Sequence, residues 1–324
     1  MLQLNFRLIS YIIGLLLLFN STAIFLTSFV SYYFSDGFFS SILKSGFICF
    51  ALGFLIMFFS KNPKKIINRR DGYLVVVIGW LTMVFSGMLP YIFTNTIDNV
   101  PDLIFETMSG YTTTGSSIIS DIEALPESII FWRSMTHWLG GMGIIVLAIA
   151  ILPMLGIGGM QLFSAEAPGS GISGDKIHPR ISNTAKRLWF IYFGLTLLET
   201  LLLNIAGMSF FDAINHSMSN IATGGFSTKN DSLSFWNSMP QIQYIIIFFM
   251  ILAGTNFLLI YLSLIGKFKK LFYNTEFIWF LGLIASFVFI TTVILNSNVD
   301  LDSTNFNHPQ VLGKLEASFR HALF

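Results

Sequence analysis

The chain has 324 residues, 54% of them hydrophobic and 11% charged, with a formal net charge of +1, whereas soluble domains carry about 25% charged residues. Water is therefore excluded as its main solvent, and neither the charge nor its distribution points to nucleic acid as a partner. A single cysteine, Cys49, excludes an intramolecular disulfide and a cysteine-based metal cluster.

Apolar runs start at Ile9, Phe38, Tyr73, Ile129, Leu188, Ile242 and Phe277. Each is long enough to cross roughly 30 Å of hydrocarbon as a helix, so seven spanning segments are expected in an all-α integral membrane fold. The first run lacks a small-residue cleavage site and a second follows it at once, which favours a retained helix over a signal peptide.

The loops joining these runs differ in charge. One set carries Arg7, then Lys61, Lys64, Lys65, Arg69 and Arg70, then Lys176, Arg180, Lys186 and Arg187, then Lys267, Lys269 and Lys270. Basic residues near membrane ends stay on the cytoplasmic side, so this set is expected inside, with the N-terminus cytoplasmic. The other set gathers Asp98, Asp102, Glu106, Asp121, Glu123, Glu127, Asp212, Asp231, Asp300 and Asp302. Such residues either solvate outer loops or form an acidic vestibule that concentrates cations at a mouth.

After the third and the fifth runs come short stretches, Asn99 to Tyr111 and Ser209 to Asn220, too short to cross the bilayer. They belong to a repeat offset by 110 residues, in which Asp102, Ile104, Met108, Ser109, Thr113, Gly115 and Ser117 match Asp212, Ile214, Met218, Ser219, Thr223, Gly225 and Ser227 without a gap. The repeated unit reads as helix, re-entrant half-helix, turn, helix. Non-helical backbone at membrane depth is tolerated only where protein buries it or water lines it. The turns Thr112-Thr113-Thr114-Gly115-Ser116 and Ala222-Thr223-Gly224-Gly225-Phe226 are therefore candidate pore linings. Backbone carbonyls and threonine hydroxyls suit a dehydrating cation, and Gly115 and Gly225 offer positive φ. The half-helices would aim their partially negative C-terminal ends at the ion. Surface turns carry the same residue types, and it is the repeat and its re-entrant context that favour a pore.

Four further stretches add to this pattern: Phe131-Trp132-Arg133-Ser134, Trp138-Leu139-Gly140-Gly141-Met142-Gly143, Phe163-Ser164-Ala165-Glu166-Ala167-Pro168-Gly169 and Pro179-Arg180-Ile181-Ser182-Asn183-Thr184-Ala185-Lys186. Together with the repeat and the N-terminal helix pair, they resemble the Trk/Ktr/HKT superfamily of potassium transporters, and within it the TrkH/TrkG type. The resemblance implies repeated helix–P-loop–helix units around a potassium path, one filter glycine per repeat, in a bacterial inner membrane. It puts Thr112, Thr113, Thr114 and Gly115 in one filter segment and Ala222, Thr223, Gly224 and Gly225 in another. Potassium, as the transported ion, would meet Thr113, Thr114, Gly115, Thr223, Gly224 and Gly225. No cofactor is implied; the implied partners are a second copy of a complete subunit, forming a homodimer, and a cytoplasmic nucleotide-binding subunit of the TrkA type. Gly224 departs from the threonine of the first turn.

The units expected are an N-terminal helix pair and loop (1–71), a first repeat (72–160), a cytoplasmic connector (161–187), a second repeat (188–270) and the start of a third (271–324). There Ala322-Leu323-Phe324 resembles Leu103-Ile104-Phe105, and the third turn would fall beyond Phe324. On this reading the fold is incomplete, and a non-conducting fragment or accessory subunit is the alternative function.

Other residues admit two readings each. Glu199 in an apolar helix is a functional carboxylate or a strut behind the second half-helix. Arg133 and His137 brace the first turn, or Arg133 is a snorkelling arginine. Gly140, Gly141 and Gly143 allow close helix packing, and Gly254, Thr255 and Asn256 form part of a gate or a polar helix contact. Gly169, Gly171 and Gly174 match a dinucleotide fingerprint, but without a preceding strand that assignment fails. Asp212 and His216, one helical turn apart, have no nucleophile or metal-ligand partner, which speaks against a membrane enzyme.

Overall fold

A computed structural model describes residues 4–61, 69–155, 181–298 and 312–324. The described residues are helical, with short connecting turns. Helices α1 (Phe6–Phe34) and α2 (Phe39–Phe59) form an antiparallel pair. The first repeat follows: α3 (Arg69–Gly87) with its short continuation α4 (Leu89–Thr94), the half-helix α5 (Val100–Tyr111), and α6 (Glu127–Leu155). The second repeat is α7 (Ile181–Ile205), the half-helix α8 (Phe210–Ile221), α9 (Pro240–Gly254) and α10 (Phe257–Leu264). After a short basic helix α11 (Phe268–Phe272) come α12 (Thr275–Asn298) and α13 (Lys314–Leu323).

Five of the expected spans are helical stretches long and apolar enough to cross a membrane, at 6–34, 39–59, 70–94 (α3 with its continuation α4), 186–205 and 275–297. The fourth run lies in α6, whose 29 residues reach roughly 43 Å at 1.5 Å per residue. The sixth run is interrupted where Gly254, Thr255 and Asn256 fall: α9 and α10 meet there at an angle of 103°. The half-helix α13 starts at Lys314, earlier than Phe319, the residue that aligns with Val100.

Hydrogen bonds show which helix ends share a side. The Asn5 amide donates to the Asp71 carboxylate (3.0 Å), joining the starts of α1 and α3, and Arg187 near the start of α7 donates to Tyr261 in α10. At the other ends, Asp36 in the α1–α2 turn accepts from the Ser128 amide at the start of α6 (3.1 Å). The chain therefore threads back and forth, and both half-helices enter from the Asp36 side.

Small residues let α1 and α2 approach: a Cβ on Gly14 would lie 2.9 Å from the Gly53 carbonyl oxygen. Phenylalanines such as Phe29, Phe58, Phe193 and Phe287 cover the outside, as lipid contact requires. The core holds the rings of Tyr91, Tyr111, Trp132, Tyr192 and Phe249, packed around the half-helices.

Candidate functional site

Each half-helix ends in the same backbone device. The Thr114 N–H reaches back to the Ser109 carbonyl (3.0 Å) and the Thr113 N–H to Gly110 (3.1 Å); Gly224 and Thr223 repeat this with Ser219 and Asn220, both at 2.8 Å. This is the Schellman termination, whose left-handed position normally goes to glycine. Here threonine occupies it, with φ +54° at Thr113 and +56° at Thr223, and the glycines two residues on are left-handed too, at +77° (Gly115) and +85° (Gly225). The sequence reading gave positive φ to the glycines alone. A β-branched residue there is strained, and the strain occurs at matching positions of both repeats. With Thr114 and Gly224 between them in ordinary φ, the backbone alternates in hand, which lets successive carbonyls face one way.

The two turns meet. A Cβ built on Gly115 would stand 1.8 Å from the Gly224 carbonyl oxygen, so only a hydrogen separates one turn from the other. The hydroxyls of Thr112 and Thr114 pair at 2.8 Å. Beside the second turn is a cavity of about 310 Å³ lined by Thr223, Gly224, Gly225, His216, Asn220 and Phe324 among others.

Behind each turn, one half-helix residue braces the serine eleven positions on. In the first repeat Glu106 accepts from Ser117 Oγ (3.1 Å) and the Ile118 amide (3.0 Å). In the second, offset by 110, His216 Nε2 bonds Ser227 Oγ (3.0 Å) while Asp212 accepts from Thr228 Oγ1 (2.5 Å). The expectation that Glu106 belongs to an acidic vestibule is overturned: it is fully buried and ion-paired with Arg133 at 2.9 Å. Asp212, which accepts from the Thr228 and Ser209 hydroxyls, and His216, which bonds the Ser227 hydroxyl and the Asp212 carbonyl, are likewise committed to bracing the turn, which speaks against an enzymatic pair.

Arg133 does not snorkel. It is 1% exposed, donates to Glu106 and to Ser117 (3.0 Å), and covers the Phe226 ring at 4.2 Å. His137 corrects the expectation differently, because it packs on the second turn, not the first: its Nδ1 is 2.9 Å from Ser219 Oγ and its ring stacks on Phe226 at 3.8 Å. Of the glycines read as helix-packing residues, Gly140 instead admits the first turn, while Gly141 serves both a helix contact, with an added Cβ 2.7 Å from Tyr192 Oη of α7, and the second turn. Added Cβ atoms would sit 1.9 Å from the Tyr111 carbonyl oxygen and 3.0 Å from Ala222, while Gly143 faces open space.

Glu199 is the strut that one sequence reading foresaw, accepting from Asn220 Nδ2 at 2.5 Å at the end of the second half-helix. The tie that sequence reasoning missed is Asn20 of α1, which accepts from Tyr111 Oη (2.7 Å) and donates to Ser86 (2.8 Å), fastening the first half-helix to the N-terminal pair. Its signal was available: a lone amide in an apolar run is costly without a partner.

Gly254, Thr255 and Asn256 form the α9–α10 break. Thr255 is extended, Asn256 caps α10 by accepting from the Leu258 amide (3.0 Å), and a cavity of about 210 Å³ bordered by Glu276 and Phe280 adjoins them. The glycines at 169, 171 and 174 and the loop around them lie outside the described residues.

Comparison with known proteins gives one consistent answer. Residues 39–299 match the family model TrkH, described as a cation transport protein. The Trk system potassium uptake protein TrkH of Salmonella typhimurium is 41% identical over 293 residues, covering 90% of this chain and 60% of that protein. TrkG of Escherichia coli is 35% identical over 247 residues, covering 76% and 50%. The crystal structure of the potassium transporter TrkH from Vibrio parahaemolyticus superposes with a TM-score of 0.83 at 34% identity, over 99% of this chain and 63% of that one. The chain thus spans about 60% of the length of the curated TrkH relatives it matches.

Proposed function

The chain belongs to the TrkH family, multi-pass membrane proteins of cation transport rather than enzymes, and from that premise we propose that it forms part of the ion path of a potassium uptake system. Potassium, the substrate, would exchange water for carbonyl oxygens of Thr112 to Gly115 and Ala222 to Gly225. What carries this reading is the interlock of two identically built turns, with the Gly224 carbonyl against Gly115. Carbonyl oxygens held by rigid backbone replace hydration without burying net charge. The Gly254–Asn256 break is proposed as part of a gate, since an interrupted helix can reorient its inner half at small cost.

The same reading puts the protein in a bacterial inner membrane with its N-terminus in the cytoplasm. It pairs as a homodimer and docks a cytoplasmic nucleotide-binding subunit of the TrkA type. What supports this is the family membership and the basic loops on one side.

The test is rubidium uptake and growth at low potassium in cells stripped of their own uptake systems. Expression should restore both, and Gly115→Asp should abolish both while the protein still inserts. Undiminished uptake by that variant sinks the assignment of the turns.

A further inference from the structure

One face of α6 touches both turns. Arg133, Thr136, His137, Gly140 and Gly141 fall at helical spacing, and they meet in order the exit of the first turn, Gly110, the second turn, the Tyr111 carbonyl and Ala222. Within this face His137 has the closest hold on the second turn. A Cβ on Gly224 would lie 2.1 Å from Nδ1 of the imidazole, so the ring fills the space a side chain would take. That accounts for the glycine standing where the first turn has Thr114. Ser219 bonds the ring through its hydroxyl and accepts the Gly224 N–H through its carbonyl, so ring and turn hang from one residue. Phe226, just past Gly225, lies flat on the ring, 15° from parallel. Residues before, within and after the turn are thereby fixed to one rigid imidazole, which is fully buried.

We propose that His137 is a positioning and specificity-determining residue, which sets where the Gly224 carbonyl stands against Gly115. The inference rests on the reading of the turns as an ion path, and goes beyond it by naming what fixes the spacing. A shift of the ring moves the Gly224 carbonyl, and carbonyl oxygens of such turns are the groups that replace an ion's hydration shell. Arg133, one helical turn away, anchors the first turn's exit on the same helix, so the two turns are held at a separation that α6 dictates.

The test measures rubidium uptake and its inhibition by sodium for the wild type and for His137→Ala, His137→Asn and Ser219→Ala, with membrane abundance measured in parallel. His137→Ala is expected to lose roughly tenfold of its discrimination against sodium, by analogy with the up to about hundredfold rate losses that follow about 1 Å misplacement of reacting groups. His137→Asn, which keeps a polar atom near the Nδ1 position, should recover part of it, and Ser219→Ala should fall between the two. A merely structural role predicts instead that abundance and uptake drop together at an unchanged sodium-to-rubidium ratio, and that result overturns the proposal. If His137→Ala fails to reach the membrane, unchanged ratios in the other two variants overturn it equally. No rubidium uptake by the wild type would sink the ion-path reading itself, an outcome distinct from a wild-type ratio in the variants.

Discussion

At Gly115 the chain has room for one hydrogen atom. Alanine there would meet a backbone oxygen at 1.8 Å and keep a left-handed φ of +77°, of which the second alone costs about 1 kcal/mol. Because the obstacle is backbone, it cannot swing aside, and rubidium uptake by Gly115→Ala is expected to fall at least about a hundredfold. Uptake within a few-fold of wild type would mean that the turns separate during transport. Glu106 and Arg133 give a second expectation. Removing one partner leaves a buried charge uncompensated, a loss of roughly 3–5 kcal/mol, so Arg133→Ala should sharply lower the thermal midpoint of the detergent-solubilised protein, whereas Glu106→Gln, which keeps an acceptor for Ser117, should lower it less. The glycines were legible because their repeat and context demand positive φ. Glu106 was not: in sequence it is one more carboxylate near an outer helix end, and its pairing with a residue 27 positions away depends on how the half-helix folds back.

Among the elements, α6 separates two kinds of glycine that look alike in sequence. Gly140→Ala forces the Tyr111 carbonyl away from 1.9 Å and should cost uptake, while Gly143→Ala meets nothing within 4 Å and should gain up to about 1 kcal/mol of helix stability. Equal uptake and equal thermal midpoints for the two variants would refute this division. The loop between α1 and α2 offers a pH test. Burial raises the Asp36 carboxyl, but hydrogen bonds from Ser128, Ser31 and the Phe38 amide outweigh it and hold the group below its ordinary value. A depressed carboxyl stabilises fully above its unfolded pKa of about 4 and loses that contribution as pH falls through the folded value. Acid should therefore loosen the clamp between this loop and α6 only below about pH 4. Asp36→Asn should flatten that part of the thermal-midpoint profile, and an unaltered slope would count against the clamp. The half-helices and the break at Gly254–Asn256 were readable, since lengths and helix-breaking residues sit in the chain locally. That α6 keys into both turns was not, because its stripe looks like any small-residue packing face until the turns are placed on it.

For the whole molecule, hydrogen bonds sort the helix ends into two sets, with Asn5, Asp71, Arg187 and Tyr261 on one side and Asp36 and Ser128 on the other. Lys61, Arg70, Arg187 and Lys267 are at helix ends of the first set, and the proposed cytoplasmic side for that set rests on the rule that retained Lys and Arg govern orientation. The repeat made this alternation legible from sequence: each copy returns the chain to the same side before the next begins. What the sequence could not supply was the meeting of the turns, a contact between residues 109 positions apart, Gly115 and Gly224, that arises only once two copies pack about a shared axis. The orientation is open to a direct measurement, for which the native protein is well suited: Cys49, its single cysteine, is fully buried and should not react with a membrane-impermeant maleimide. Ser120 follows the first turn and Lys267 follows α10, and both are exposed. In right-side-out vesicles Ser120→Cys should be labelled at once and Lys267→Cys only after permeabilisation. Labelling in the reverse order would put the turns at the cytoplasmic face, where a vestibule facing the outside medium has no meaning, and labelling of both before permeabilisation would show that the helices between them do not seal the bilayer.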